Sequence, residues 1–276
     1  MIVGVVHTYS SDCHCHYSLL HALWRLGYST QELDCHNLNR IAADIVFDHT
    51  DTFHGSGKFR YRVRETLEQK GIKVLGPPSS AVKLCDNKPA AKEMFSKLGI
   101  PTPKYAVMTS VKDCKLPFPR VLKLGYSHCS RGLQIAHNER DYMKKLALSL
   151  KKYKQPVIVE EYIPGREIMV TMIGKKNPAV LPAVELNYKG PLLYADLDAQ
   201  MKKARIPNIE EYAKMIWENF GLRGYCRLDI RVKDGAPYFL EVNPIPSLVY
   251  KDVVHRAAEY AGINYDALIQ RLIKSS

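Results

Sequence analysis

The chain has 276 residues, a formal net charge of +12, 46% hydrophobic residues and 25% charged residues. This length allows two or three small domains, and the composition is ordinary for a globular protein. No stretch approaches the roughly 18 apolar residues of a membrane span, and the N-terminus lacks a signal-peptide pattern. Seven cysteines, an odd number, argue against a disulfide framework and favour a reducing compartment. We therefore expect a cytoplasmic protein without a membrane partner.

The excess of positive charge allows two interpretations. A nucleic-acid binder usually concentrates its basic residues, but here they are dispersed, with no block beyond pairs such as Lys151-Lys152 and Lys202-Lys203. A cleft that binds a nucleotide triphosphate and an anionic substrate also requires positive charge. The second interpretation is favoured, and nucleic acid is not the expected partner.

Short apolar runs alternate with amphipathic segments over about the first 80 residues. This alternation predicts a small, doubly wound, parallel α/β domain. The predicted strands are residues 2–6, 44–48 and 72–76, and the predicted helices are residues 18–26 and 58–70. Gly27 and Gly71 follow the helices as C-caps.

The rest of the chain mixes helices with antiparallel strand signals, which predicts two α+β subdomains. The predicted helices are residues 87–98, 141–153, 209–220 and 252–261. The predicted strands are residues 119–124, 132–136, 156–163 and 167–174, with a loop at 187–203. The domain boundaries follow as 1–82, 83–156 and 157–276.

Three oxygen-bearing side chains surround a tight-turn signal near the C-terminus. Asp234-Gly235 favours a hairpin, and the flanking segments alternate at period 2. The hairpin can bring Asp229 and Glu241 to one face of neighbouring strands, with Asn243 nearby. Two carboxylates and an amide oxygen are suited to Mg²⁺ bound to a polyphosphate. The alternative is a surface hairpin whose acidic residues are only solvated.

Further polar signals precede this hairpin in a fixed order. Lys88 begins a helix, Lys123 ends a strand before the loop GYSHCSRG (residues 125–132), and Glu160 ends another strand. Lysines beside a Gly/Ser loop can bind phosphates, and the loop N–H groups can cover them. A lone lysine of this kind is more often a solvated surface residue, and most lone Gly/Ser loops are turns. Their order together favours a nucleotide site.

The combined motifs resemble the ATP-grasp superfamily, in particular its D-alanine–D-alanine ligase branch. They include GPPSSAVKLCDNK, LGIPTP, FPRVLK, VEEYIPGRE and RLDI…DG…LEVNPIP, and the resemblance covers most of residues 45–262. It implies an N-terminal, doubly wound, parallel α/β domain followed by two α+β subdomains that grip the nucleotide.

The resemblance also implies a role for each matching residue. Arg227 and Ser130 would be catalytic, with Arg227 facing the transferred phosphate. The implied ATP-binding residues are Lys88 and Lys123 for the phosphates, Glu160, Glu161, Tyr162 and Ile163 for adenine, and Glu167 for the ribose. Asp229, Glu241 and Asn243 would bind two Mg²⁺ ions, for which Mn²⁺ is a possible substitute.

The implied activity is that of an ATP-dependent carboxylate–amine ligase acting on small molecules through an acyl phosphate. Loop 125–132 would be the lid that excludes water. Two alternatives remain: a ligase that adds an amino acid to a peptide, protein tail or carrier, and a nucleotide-binding scaffold without turnover. A homodimer is possible, since dimers are common in the family.

The segments that would recognise the substrates depart from the family pattern. Residues 8–18 contain no glutamate–serine segment, and the lid has Cys129 and Arg131 where a serine and a small apolar residue are usual. Ser247 follows the hairpin where a glycine is usual, and Asp252 lies near a position that usually offers a serine. These departures predict altered substrate recognition.

A run of potential metal ligands, Cys13-His14-Cys15-His16, follows the first strand. Alternating residues rarely bind one tetrahedral ion, and the sequence offers no clear matching pair. A substrate-facing loop is favoured, because ligands bind at the carboxyl ends of strands in open α/β sheets. Packing in the core is the remaining alternative. His49 and His54 flank another loop, where they either face substrate or cap the turn.

Overall fold

We describe the fold from a computed structural model, which covers residues 1–8, 15–190 and 199–275, with only the backbone of Cys15 included. The described residues form three sheets in succession along the chain. The strands are β1 Ile2–His7, β2 Ser29–Asp34, β3 Ile45–His49, β4 Lys73–Leu75, β5 Tyr105–Met108, β6 Arg120–Leu124, β7 Gln134–Ala136, β8 Val157–Glu161, β9 Arg166–Gly174, β10 Ala179–Val180, β11 Ala183–Asn187, β12 Gln200–Ala204, β13 Gly224–Lys233 and β14 Ala236–Asn243.

Eight α-helices cover these sheets in the described part of the chain. They are α1 Cys15–Arg25, α2 Tyr61–Gln69, α3 Ser79–Asp86, α4 Lys88–Lys97, α5 Glu139–Tyr153, α6 Ile209–Asn219, α7 Val253–Tyr260 and α8 Tyr265–Lys274. None of the described helices is both long enough and apolar enough to cross a membrane.

The N-terminal sheet is parallel, with strand order β2-β1-β3-β4. Val5 and Phe47 belong to a core that includes apolar residues of α1, while Val6 and Val46 belong to the core that includes α2. Both faces are covered, in keeping with the apolar runs IVGVV of β1 and IVF of β3, and the prediction of these two strands is confirmed. The edge strand β2 was not predicted.

The central sheet is antiparallel, with strand order β5-β8-β6-β7. Helix α5 packs on one face, and Tyr142 and Leu146 are fully buried there. By its pairing with β5 and β6, β8 belongs to this sheet, whereas the predicted boundary at residue 156 assigned it to the last subdomain. The chain therefore changes sheets between β8 and β9.

The C-terminal sheet follows the order β12-β11-β9-β13-β14, with β10 paired to β9. The predicted hairpin is confirmed as β13–β14, and Asp234 and Gly235 at its turn have φ values of 50° and 80°. The predicted helix 58–70 is a short 3₁₀ turn, Gly57–Phe59, followed by α2. Helices α3 and α8 were not predicted. The predicted loop 187–203 overlaps β12 at its end, and residues 191–198 lie outside the described residues.

Two glycines let the N-terminal sheet and the C-terminal sheet approach closely. A Cβ atom built on Gly224 would lie 2.5 Å from the Gly76 Cα and 2.7 Å from the Gly76 nitrogen. Gly224 also has a φ of 75°, which L side chains rarely adopt. This backbone contact joins the start of β13 to the end of β4, and it fixes the N-terminal sheet against the sheet that carries the acidic hairpin.

We expect Gly224→Ala to lower the free energy of unfolding by about 2–4 kcal/mol, because overpacking adds to backbone strain. Gly221→Ala is the matched control, since Gly221 has a φ of 64° and no atom within 4 Å of a built Cβ. Gly221→Ala therefore measures the cost of the backbone strain alone, without a steric clash, and we expect a loss of about 1 kcal/mol. Urea unfolding of both variants measures the difference, and equal losses would contradict a steric contact with Gly76.

Candidate active site

A deep cleft lies between the central sheet and the C-terminal sheet and contains about 1020 Å³ of empty space, part of it open to solvent. All twelve residues that the sequence singled out line this one cleft. They are Lys88, Lys123, Ser130, Glu160, Glu161, Tyr162, Ile163, Glu167, Arg227, Asp229, Glu241 and Asn243.

The hairpin register places the two central carboxylates side by side. Asp229 on β13 is the direct partner of Glu241 on β14, and the register shifts immediately after Asp229. Asn243 donates from Nδ2 to Asp229 Oδ2 at 2.9 Å and to Glu241 Oε1 at 3.3 Å. The three predicted metal ligands therefore form one hydrogen-bonded group, and the Asn243 oxygen would face an ion only after the amide turns over.

Two cations balance this acidic group. Lys88 Nζ lies 2.6 Å from Glu241 Oε2, and Arg227 forms two hydrogen bonds to Asp229, of 2.7 Å and 3.0 Å. Lys88 begins α4, whose Ala91 and Phe95 share a core with the C-terminal sheet, so this ion pair joins the start of that helix to the hairpin. Arg227 pairs with its own strand neighbour, and its guanidinium therefore lies directly beside the proposed metal ligands.

The two carboxylates have opposite pKa shifts. Burial raises the pKa of Asp229 to about 6, against the opposing effect of Arg227. Burial also acts to raise the pKa of Glu241, but Lys88 and Lys123 hold it well below its ordinary value. Two carboxylates in contact disfavour double ionisation. The pair thus keeps Glu241 charged at neutral pH, while Asp229 titrates close to that range.

A buried glutamate connects two lysines at the floor of the cleft. Glu160 is 2% exposed and lies 2.8 Å from both Lys123 Nζ and Lys92 Nζ. Burial lowers the pKa of Lys92 to about 8. The Glu160 carboxylate is thus engaged by lysines, so its side chain positions Lys123 and is not available as a simple adenine contact.

Sequence reasoning missed Lys92, which is 1% exposed and donates to the Thr102 hydroxyl at 2.6 Å. One signal was available: Lys92 lies four residues after Lys88 on the same helix, and so on the same face. A helical lysine is ordinarily solvated, and nothing in the sequence alone indicated that this one meets Glu160.

The segment after β8 forms the side wall of the cleft. The Lys104 N–H donates to Glu161 Oε1 at 2.8 Å, and the Tyr162 N–H donates to the Pro119 carbonyl at 3.1 Å. Glu167 accepts a hydrogen bond from Tyr188 and lies 2.7 Å from Arg231. The predicted ribose ligand is thus held by two partners that the sequence did not connect to it.

The lid packs against the N-terminal part of the chain. His128 lies 3.6 Å from Asp86 Oδ1, and Asp86 also accepts two hydrogen bonds from Arg60, of 2.6 Å and 2.8 Å. A Cβ atom built on Gly57 would lie 3.0 Å from His128 Cδ2. Cys129, at the lid tip, has a φ of 51°, an uncommon conformation for a residue with a side chain. In this conformation of the lid, His128 therefore packs against Gly57 of the N-terminal domain.

Of the other positions that the sequence singled out, Cys129 and Arg131 of loop 125–132 also line the cleft, whereas the two histidines around the second loop do not. His49 is buried and His54 is exposed beside the rings of Phe53 and His36; neither lines the cleft. Cys13 and His14 lie outside the described residues, as does most of the predicted substrate-facing loop.

A parallel N-terminal sheet, two subdomains around a cleft, and an acidic hairpin facing lysines and a lid define the class of ATP-grasp proteins. The family described as "D-ala D-ala ligase C-terminus" matches residues 94–274. The D-alanine–D-alanine ligase of Desulforamulus reducens is 30% identical over 236 residues, which cover 77% of this chain and 75% of that protein. The chain belongs to the D-alanine–D-alanine ligase family and is an ATP-dependent ligase that forms a C–N bond.

Solved structures agree on the fold. The D-alanine–D-alanine ligase from Bacillus anthracis complexed with ATP has a TM-score of 0.83 at 22% identity, covering 100% of this chain and 97% of that chain. The VanG D-Ala:D-Ser ligase from Enterococcus faecalis has a TM-score of 0.84 at 18% identity, covering 99% and 98%. The predicted fold class and family resemblance are confirmed.

We expect Gly57→Ala to weaken binding of a non-hydrolysable ATP analogue by about fivefold or more, because its methyl group would push His128 and the lid outward. Calorimetric titration measures the affinity. The double variant Gly57→Ala/His128→Ala removes the colliding ring and is expected to bind as His128→Ala alone does. A loss that persists in the double variant would show that the added methyl group acts elsewhere.

Proposed function

We propose that this protein uses ATP to phosphorylate an amino-acid carboxylate and then joins the acyl group to the amine of a second small molecule. The observation that carries this proposal is the direct pairing of Asp229 with Glu241, opposite Lys88 and Arg227 in one cleft. Oxide is a poor leaving group in water, and an acyl phosphate provides a better one.

The charged groups support a nucleotide held from two sides. Lys88 and Lys123 would bind the phosphates, and the wall of Glu161, Tyr162 and Ile163 would meet the adenine. Glu167, already fixed by Arg231, would accept hydrogen bonds from the ribose hydroxyls. Each of these side chains lines the cleft.

The donor set of the hairpin fits Mg²⁺, which prefers one or two carboxylates together with phosphate oxygens. Asp229, Glu241 and Asn243 would hold the ions, with two ions proposed and Mn²⁺ as a substitute. Bound there, Mg²⁺ would offset negative charge on the phosphoryl group during transfer.

The remaining steps fall to side chains and backbone of the lid and β13. Arg227, which contacts Asp229, would stabilise charge on the transferred phosphoryl group and then on the tetrahedral oxyanion formed by amine attack. Ser130 and the neighbouring N–H groups of the lid would orient the phosphates. The lid would also exclude water, which otherwise hydrolyses the acyl phosphate.

The charge near Arg227 supports a second, amine-bearing substrate that differs from the D-alanine named for the relatives. Asp252 caps α7 by accepting a hydrogen bond from the Val253 N–H at 2.6 Å. Burial acts to lower the pKa of Arg227, but the adjacent charge of Asp229 raises it, and the charge of Asp252 raises it further. The Asp252 carboxylate would repel an amine substrate that places its own carboxylate next to Arg227. We therefore propose an acceptor whose nearby group is neutral or cationic.

A screen of ADP release with paired amino acids and amines tests the ligase proposal, with donor and acceptor varied independently. We expect release to depend on both partners and to fall at least about a hundredfold in Glu241→Gln, because the charge that holds the metal is lost. Glu185→Gln is the matched control: Glu185 is also buried and ion-paired, with Arg166 and Lys202, but lies outside the cleft lining. Nucleotide binding without turnover for any pair would instead support a scaffold.

We expect the affinity for Mn²⁺ to rise with pH up to about 7 and then to level off. Asp229, with a pKa of about 6, is protonated in acid and must lose its proton to bind the ion, whereas Glu241 stays ionised. The slope below pH 6 would be at most about tenfold per pH unit. Titration of Mn²⁺ followed by electron paramagnetic resonance measures it. A flat profile between pH 5 and pH 7 would contradict ligation by Asp229.

A further inference from the structure

Histidines are concentrated at one edge of the N-terminal domain. Seven of the ten histidines of the chain precede residue 55, and the proposed ligase chemistry uses none of them. Three of these seven, His7, His16 and His49, are buried. Buried histidines that no proposed function employs require a physical explanation.

The strand register brings these side chains to one corner. His7 ends β1, and its partners in the neighbouring strands are Asp34 and His49. Side chains alternate along a strand, so His7 and His49 lie on the same face as Val5 and Phe47, which is the face that α1 covers. Glu32 precedes Asp34 by two residues and shares this face.

His16 completes the group from the first turn of α1. The ligand atoms of His7, His16 and Glu32 all lie within 4.8 Å of one another. His7 Nε2 is 3.6 Å from Glu32 Oε2, which is longer than a hydrogen bond. Two ligands of one tetrahedral zinc ion are separated by about 3.3–3.4 Å. The nitrogen and the oxygen are thus spaced nearly as two ligands of one ion.

His49 provides an independent observation. It is 9% exposed, and its Nε2 has no hydrogen-bond partner among the described residues. Buried polar atoms ordinarily have a partner, and an ion is one of the partners that satisfies such an atom.

We propose that His7, His16 and Glu32 bind one divalent transition-metal ion of the zinc class, beside the buried ring of His49 on the neighbouring strand. Imidazole nitrogens suit Zn²⁺, whereas Mg²⁺ prefers oxygen ligands, so this site differs in chemistry from the acidic hairpin. None of the four residues lines the nucleotide cleft.

One rearrangement accompanies binding. The rings of His7 and His16 stack with their centroids 3.9 Å apart and an interplanar angle of 7°. Lone pairs of imidazole lie in the ring plane, so two parallel rings do not point at the same ion. Binding therefore turns the His16 ring, while His7, within β1, keeps its place. The bound ion would tie the start of α1 to β1 and β2.

The test uses the full chain after chelator treatment, with excess Mg²⁺ to occupy the acidic hairpin and no ATP. Zn²⁺ is titrated against a chromophoric chelator, and Co²⁺ is followed by the visible absorption of a tetrahedral site. We expect one Zn²⁺ per chain. Glu32→Gln and His16→Ala are expected to weaken binding by at least about tenfold. His21→Ala, an exposed position on the same helix, is the matched control and is expected to bind as the unmodified chain does.

Two results would overturn the proposal. One is the absence of stoichiometric Zn²⁺ binding to the unmodified chain. The other is binding that survives both Glu32→Gln and His16→Ala but is lost in Cys13→Ser/Cys15→Ser, which would assign the ion to the cysteines. Glu32→Gln preserves size at a partly exposed position, so a folding defect would not obscure its result. Because no ATP is present, the outcome is independent of the ligase proposal.

Discussion

Two carboxylates held side by side in a partly buried cleft are the constraint on which the site depends. Asp229 and Glu241 are direct partners across the hairpin, and like charges at this spacing repel strongly unless cations lie close by. Lys88 and Arg227 supply those cations. Since Lys88 begins α4, which packs against the C-terminal sheet, this ion pair also fixes the start of that helix beside the hairpin.

The same principle explains why Lys123 and Glu160 are buried next to each other. Burying a single charge is costly, and removal of one partner leaves the other uncompensated. Glu160 meets two lysines, so the three side chains fix one another at the floor of the cleft. Lys123 is thereby already oriented toward the cleft, and little further ordering is required when it binds an anion. This preorganisation is the contribution of Glu160 and Lys92 to the site.

The sequence predicted those parts of the fold that depend on local patterns. Asp234-Gly235 and the period-2 flanks predicted the hairpin because a tight turn fixes the register. The apolar runs of β1 and β3 were equally clear. Edge strand β2 was missed because its sequence, STQELD, is polar and only partly buried. Helices α3 and α8 were missed as well.

The sequence predicted which residues line the site, but it did not predict which of them form ion pairs. Charged residues appear in the sequence with their identity and order, whereas an ion pair such as Lys88–Glu241 joins positions 153 residues apart. Burial was not predictable either: a lysine on a helix, such as Lys92, is ordinarily solvated, but the fold buries it next to Glu160. The resemblance to a known family supplied much of the long-range information that local patterns lack.

Asp86 connects the N-terminal turn at Gly57 to loop 125–132 and to the start of the helix that carries Lys88. Its carboxylate accepts two hydrogen bonds from Arg60, which follows the 3₁₀ turn at Gly57, and it lies 3.6 Å from His128 of the lid. Lys88 follows only two residues later. A displacement of the N-terminal turn therefore shifts the lid and the start of the helix that carries Lys88. Coupling of this kind requires only packed, charge-paired groups in contact.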